Sequence, residues 1–144
     1  MAATRTLVSL EEYLHTSYED GDREYIDGEV IEKPMPPWNH GELQTRLAEI
    51  FYDLRKQGFR CFTAVEVRSR TQLTRVRLPD FSVYLERPEE PVPSNPPFIA
   101  VEILSPDYRA SYLIDKLREY RAWGVAHIWV IDPMLQTLSE FGSD

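Results

Sequence analysis

A chain of 144 residues that is 42% hydrophobic and 28% charged has room for one globular α/β domain with a core of ordinary size, over residues 1–144. Its net charge of −8 argues against a protein that coats nucleic acid by bulk electrostatics, but not against an enzyme that cuts it, which keeps acids in its site. The N-terminal stretch Met1 to Leu7 lacks the apolar core of a signal peptide, and no apolar run is long enough to span a membrane. The single cysteine, Cys61, excludes an intramolecular disulfide and a zinc–cysteine cluster, so the reading is a soluble, untargeted, cytoplasmic protein.

In chain order, Ser9-Leu10-Glu11-Glu12 fits a capping box opening a short helix to about Ser17. Arg23 to Ile26 and Glu29 to Lys33, joined by Asp27-Gly28, form a two-residue-turn hairpin. Pro34, Pro36 and Pro37 then force an extended connection. Asn39, with Glu42 at the capping-box position, caps a long helix whose Leu43, Leu47, Ile50, Phe51 and Leu54 share one face, closed by Gly58.

Phe59 to Arg70 alternates as a strand, and a second strand follows the turn at Thr71-Gln72 and runs into Asp80. Arg68 and Arg70 on the first strand would meet Arg75 and Arg77 on the second. The four read either as a phosphate-gripping ribbon or as a solvated edge hairpin that uses charge to block edge pairing. A proline-rich surface connection leads to the apolar strand Phe98 to Leu104. A helix opened by Asp107 or Ser111 runs to Trp123 and is closed by Gly124, the strand Ala126 to Asp132 ends at Pro133, and Thr137 to Phe141 forms a last short strand. Trp123, Trp129 and Tyr112 read as core and rim aromatics, and Asp132 as the end of a turn.

Two strand-like runs each carry one acid among apolar residues: Asp80 in Leu78 to Leu85, and Glu102 in Pro97 to Leu104. A buried carboxylate is costly unless paired or bound to a cation, so two on neighbouring strands point to a shared cation. Magnesium suits this arrangement, since it takes one or two carboxylates and keeps several waters. Lys116 shares a helix side with Leu113, Leu117 and Tyr120; it is either aimed at the two acids or snorkelling past the helix rim.

Residues 40 to 132 thus give helix, three strands, helix, strand. Together with Glu24-Tyr25-Ile26-Asp27-Gly28-Glu29, the proline-rich stretch to His40, Leu78-Pro79-Asp80, Val101 to Pro106, Lys116 with Tyr120, and Gly124 followed by Trp129 to Pro133, this order resembles the PD-(D/E)XK nuclease superfamily. It is more similar still to the putative-restriction-endonuclease family abundant in cyanobacteria. The resemblance spans nearly the whole chain. It implies a restriction-endonuclease-like α/β fold: a central mixed sheet flanked by helices, with an N-terminal helix and β-hairpin.

The same resemblance implies a Mg2+- or Mn2+-dependent endodeoxyribonuclease acting on DNA, with Asp80 and Glu102 as metal ligands and Lys116 as a migrated form of the lysine that the superfamily carries two residues after the glutamate. Here that position is Leu104. Glu24 is the candidate for a further catalytic acid, with Glu42 as competitor and plain exposed glutamates as the alternative for both. His40 and Tyr120 take supporting places; a helix-start histidine that merely caps is the other reading of His40. A second function class stays open, a catalytically inactive nuclease-fold module that binds a protein or nucleic-acid partner. A carboxylate-pair hydrolase of another kind has no second supporting motif. Members of the resembled family commonly continue with further strands after Trp-Val-Ile-Asp-Pro, so either the sheet edge is short here or another subunit completes it, with Thr137 to Phe141 as the natural seam of a homodimer.

Overall fold

The computed structural model describes residues 6–142; most of the N-terminal stretch read for a signal peptide lies outside them. The first element is a short helix, α1 (Leu10–Leu14), whose N-cap Ser9 accepts a hydrogen bond at 3.1 Å from the Glu12 backbone N–H. It ends at Leu14 rather than near Ser17. The hairpin follows as β1 (Arg23–Ile26) and β2 (Glu29–Glu32). Asp27 and Gly28 take φ of 49° and 97°, the two positive values that a twisted two-residue turn requires.

The long helix α2 (Trp38–Lys56) begins two residues earlier than its sequence suggests, with Pro37 at the N-cap and no side-chain cap. Asn39 therefore lies inside the first turn. The reason is local: Pro37 is already extended (φ −71°, ψ 168°), and its carbonyl accepts from the His40 N–H at 3.0 Å, so the chain turns directly after the proline.

The stretch expected to form one strand from Phe59 to Arg70 is broken into β3 (Phe62–Ala64) and β4 (Ser69–Gln72), which belong to different sheets. Glu66, between them, takes a φ of 51°. The following run is broken in the same way into β5 (Arg75–Arg77) and β6 (Phe81–Tyr84), with Pro79 at the break. The hairpin β4–β5 thus leaves the main sheet and docks on the N-terminal hairpin, giving an antiparallel sheet of order β2-β1-β5-β4.

The second sheet is mixed. Its remaining strands are β7 (Ile99–Ile103), β8 (His127–Asp132) and β9 (Thr137–Glu140), in the order β3-β6-β7-β8-β9, with β7 and β8 parallel and the other pairs antiparallel. Parallel neighbours need a crossover, supplied by α3 (Ala110–Trp123). That helix starts from Arg109 with no side-chain cap, not from Asp107 or Ser111, and ends at Gly124 in the left-handed conformation. Without the β4–β5 insertion, the order α2, β3, β6, β7, α3, β8 is the helix-strand-strand-strand-helix-strand core expected from the sequence.

Strand alternation divides the burial between two faces. Ile99, Val101 and Ile103 pack with Phe81, Val83, Leu47 and Phe51 under α2, where Cys61 is a small buried hydrophobe. Ala100 packs with Leu117, Tyr120, Val125 and Ile128 under α3. Glu102 shares the parity of Ala100 and so faces α3. A third cluster, Tyr13, Tyr25 and Val76, fixes α1 beneath the first sheet. Asp132 accepts from the Met134 and Leu135 N–H groups at 2.9 and 3.2 Å and closes the last turn, as read from sequence.

Candidate active site

Asp80 sits one residue before the paired register of β6 and β7, in which Phe81 faces Val101, so it lies opposite Glu102. The two acids are laced through the backbone: the Asp80 N–H donates to Glu102 Oε2 at 3.1 Å, and the Ile103 N–H donates to Asp80 Oδ2 at 2.7 Å. One oxygen of each carboxylate is thereby fixed, leaving Asp80 Oδ1 and Glu102 Oε1 to face the interior of the site.

Lys116 reaches this place from α3. Its ammonium contacts Glu102 Oε1 directly and lies 2.9 Å from Glu24 Oε2, with all three side chains fully buried. Helical spacing places it there, because Tyr112, Lys116 and Tyr120 follow one another at intervals of four on one face. Tyr120 contributes its ring, 5.9 Å from the Lys116 ammonium; its buried hydroxyl has no hydrogen-bond partner among the described residues. Glu24, on β1, accepts from the Leu78 N–H at 2.7 Å and from the Tyr112 hydroxyl at 2.6 Å. The acid thus comes from the first sheet, while its partners come from the segment between β5 and β6 and from the crossover helix. Glu42 is not among the buried polar residues.

His40, 5% exposed on the first turn of α2, places Nε2 at 3.3 Å from Asp80 Oδ1. Asp80, Glu102, Lys116, Glu24 and His40 are therefore gathered in one place. The four arginines are not. A bulge between Arg70 and Gln72 breaks the β4–β5 register, and Arg70 faces Val76. Arg68 binds Asp22 and the carbonyls of Tyr13 and Thr16 at the end of α1. Arg75 bonds to Asp27 and Glu119, and Arg77, 1% exposed, forks onto both oxygens of Glu119 at 2.7 and 3.0 Å. Arg70 donates to the Leu73 carbonyl at 2.9 Å. A four-arginine ribbon, one of the two readings of the sequence, does not assemble, because three of its members are spent on carboxylates that tie α1, the first sheet and α3 together.

Sequence reasoning missed two groups that touch the acids. Lys33, at the end of the hairpin, contacts Asp80 Oδ1 at 2.8 Å, the Leu78 carbonyl at 2.9 Å and Glu66 Oε1 at 3.1 Å. A signal existed: Lys33 lies two residues beyond Ile31, the cross-strand partner of Glu24, and so on the same side of the hairpin. Tyr108 donates to Glu102 Oε1 at 3.3 Å from the loop before α3, where no periodicity could mark it.

These charges reshape one another. Burial pushes the Asp80 carboxyl up, but Lys33, the His40 hydrogen bond and Lys116 outweigh it and hold Asp80 well below the usual carboxylate range. Burial also raises Glu24, and Lys116, Lys33 and Arg77 bring it down to about 2. Glu102 goes the other way. Burial, joined by the negative charges of Asp80 and Glu24, overcomes the two lysines and raises it to about 7. Burial would discharge Lys116, but Glu102, Glu24 and Asp80 keep its pKa well above the ordinary lysine range.

Among the described residues no three His, Cys, Asp or Glu side chains converge as a ready metal cage. The donor set is instead two carboxylate oxygens, each beside a lysine. That fits magnesium, which prefers one or two carboxylates, several waters and a substrate phosphate to an all-protein cage.

The model of the family described as Putative restriction endonuclease (Uma2) matches residues 10–144. Among the solved structures that match is the crystal structure of a putative nuclease belonging to DUF820 from Anabaena variabilis. It superposes with a TM-score of 0.80 at 27% identity, over 93% of this chain and 79% of that one. No curated protein gives a match. Among the described residues no helix is long and apolar enough to cross a membrane. The mixed sheet between α2 and α3, the laced acids at its centre and the family match over residues 10–144 lead to one assignment: the chain has a restriction-endonuclease-like fold and belongs to the Putative restriction endonuclease family.

Proposed function

We propose that this protein is a cytoplasmic, divalent-metal-dependent nuclease that hydrolyses DNA phosphodiester bonds. Asp80 and Glu102 would hold Mg2+ or Mn2+, Lys116 would serve as the charge stabiliser and Glu24 as its anchor. The observation that carries the reading is the Lys116 ammonium on Glu102 Oε1, a cation supplied from α3 where Leu104 cannot supply one.

A bound metal supplies Lewis-acid polarisation of the phosphate and acidifies water. The chain does the rest. The Ile103 and Asp80 N–H groups fix one oxygen of each acid and aim the other into the site. Glu24, itself held by Leu78 and Tyr112, keeps the Lys116 ammonium beside Glu102. A positive charge held there stabilises negative charge developing on the phosphate. His40 Nε2 steadies Asp80 Oδ1 from the side of α2.

Asp80→Asn and Glu102→Gln keep shape while removing charge. Each is expected to lower Mn2+-dependent nicking of supercoiled plasmid at least ~100-fold, with circular dichroism unchanged. Cleavage at the wild-type rate by both folded variants would refute the assignment. The second reading, an inactive module that binds a protein or nucleic-acid partner, draws on the ion pairs that already satisfy Asp80 and Glu102. It requires that purified wild-type protein nick nothing with either metal.

Two copies of the chain are further proposed to pair along β9, whose four residues are exposed and lie at the sheet edge. Light scattering should then give twice the 16.9 kDa chain mass, and a monomer across the micromolar range would exclude it.

A further inference from the structure

The site contains one more cation than the family logic asks for. Lys116 answers for the missing lysine at Leu104, yet Lys33 from the N-terminal hairpin sits on the inward oxygen of Asp80 at 2.8 Å, with its side chain only 13% exposed. All three of its ammonium protons have acceptors: Asp80 Oδ1, the Leu78 carbonyl and Glu66 Oε1.

The space around it is equally specific. Lys33, His40, Glu66, Asp80, Ser105 and Tyr108 border a small cavity of about 10 Å³, room for at most one water. A magnesium ion with its waters and a phosphate oxygen does not fit there while the ammonium stays.

We propose that Lys33 is the resident cation of the Asp80 site, that a divalent metal enters only as Lys33 withdraws, and that this exchange sets the metal affinity. The inference rests on the nuclease reading above, because it takes Asp80 as a metal ligand. Two features make Lys33, not Lys116, the group that yields. Lys33 also borders an open cavity of about 290 Å³, lined by Glu24, Glu32, Pro34, Tyr108 and Tyr112 among others, into which its long side chain can swing. Lys116 is fully buried between Glu24 and Glu102 and borders neither cavity. That larger cavity is lined by Glu24 and Glu32 as well as by Arg109, so an ammonium that leaves Asp80 for it meets acidic side chains there.

The consequence for binding is a competition. Metal must displace an ammonium that already neutralises Asp80, and an uncharged side chain of similar length removes the competitor. Calorimetric titration with MnCl2 is therefore expected to show Lys33→Met binding Mn2+ at least tenfold more tightly than wild type. In the wild-type protein, acetylation of Lys33, followed by peptide mass spectrometry, should rise severalfold at saturating Mn2+ relative to EDTA, with Lys116 protected in both.

Equal or weaker Mn2+ affinity in folded Lys33→Met overturns the inference, as does Lys33 labelling that ignores Mn2+. Should the variant fail to fold, the labelling of wild-type protein decides alone. Absence of Mn2+ binding by both proteins would remove the metal site itself, and this inference with it; equal affinities would overturn the role of Lys33 and leave the nuclease reading standing.

Discussion

Lys116→Met is expected to destabilise the fold by about 3–5 kcal/mol, the cost of leaving a buried charge without its partner. Here two carboxylates lose it at once, Glu24 and Glu102, both fully buried. The substitution keeps most of the side-chain volume, so cavity formation contributes little and the measured loss reports the charge. Urea unfolding followed by tryptophan fluorescence reads it as a lower midpoint at unchanged slope. Adding Glu102→Gln to Lys116→Met should recover part of the loss, since the pair then lacks both charges. A loss below about 1 kcal/mol would mean that the ammonium is solvated in the folded protein, at odds with its burial.

Stability should also fall as pH rises from about 5 to about 8, by up to about 3 kcal/mol. Glu102 is responsible. Its folded pKa is about 7, above that of the same carboxyl in the unfolded chain. The folded state therefore binds the proton more tightly; this contribution is complete below the unfolded pKa and is lost as pH rises through about 7. His40, raised above its ordinary value, where its contact with Asp80 outweighs burial, adds in the same direction. Glu24 and Asp80 act oppositely. Both are depressed, so their contribution is present above the ordinary carboxylate range and is lost as pH falls, for Glu24 through about 2. The stability profile should peak near the mildly acidic region between these two limbs. Urea midpoints across that range check it, and Glu102→Gln should flatten most of the upper limb. A wild-type protein that gains stability from pH 5 to 8 would contradict the electrostatics described for Glu102.

The parts of the fold and site that could be read from sequence share one property: a local conflict that only one arrangement relieves. Asp80 and Glu102 stood out because an acid in an apolar strand needs a partner, and Lys116 because its helical neighbours Leu117 and Tyr120 are buried. The hairpin at Asp27-Gly28 followed from the positive φ values that its turn demands.

What escaped was long-range. The stretch from Phe62 to Tyr84 alternates smoothly, and alternation carries no mark of which sheet a strand joins; the changes occur at Glu66 and around Pro79. That exchange moved Arg68, Arg75 and Arg77 away from a common face and onto carboxylates of other elements. Lys33 escaped for a related reason. Before Pro34 it reads as the solvated end of a strand, and its acceptors lie 33, 45 and 47 residues further along the chain.

The bond between Tyr112 and Glu24 spans 88 residues, and the one between Leu78 and Glu24 spans 54. Contacts of such separation form late, because the entropy of closing the loop must be met before they return anything. On the ribosome the hairpin carrying Glu24 and Lys33 emerges well before the groups that hold it: Lys33 has its acceptors once Asp80 has followed, whereas Glu24 waits for Tyr112 and Lys116 of α3. A chain interrupted before α3 therefore holds the acids without the lysine that makes their burial tolerable.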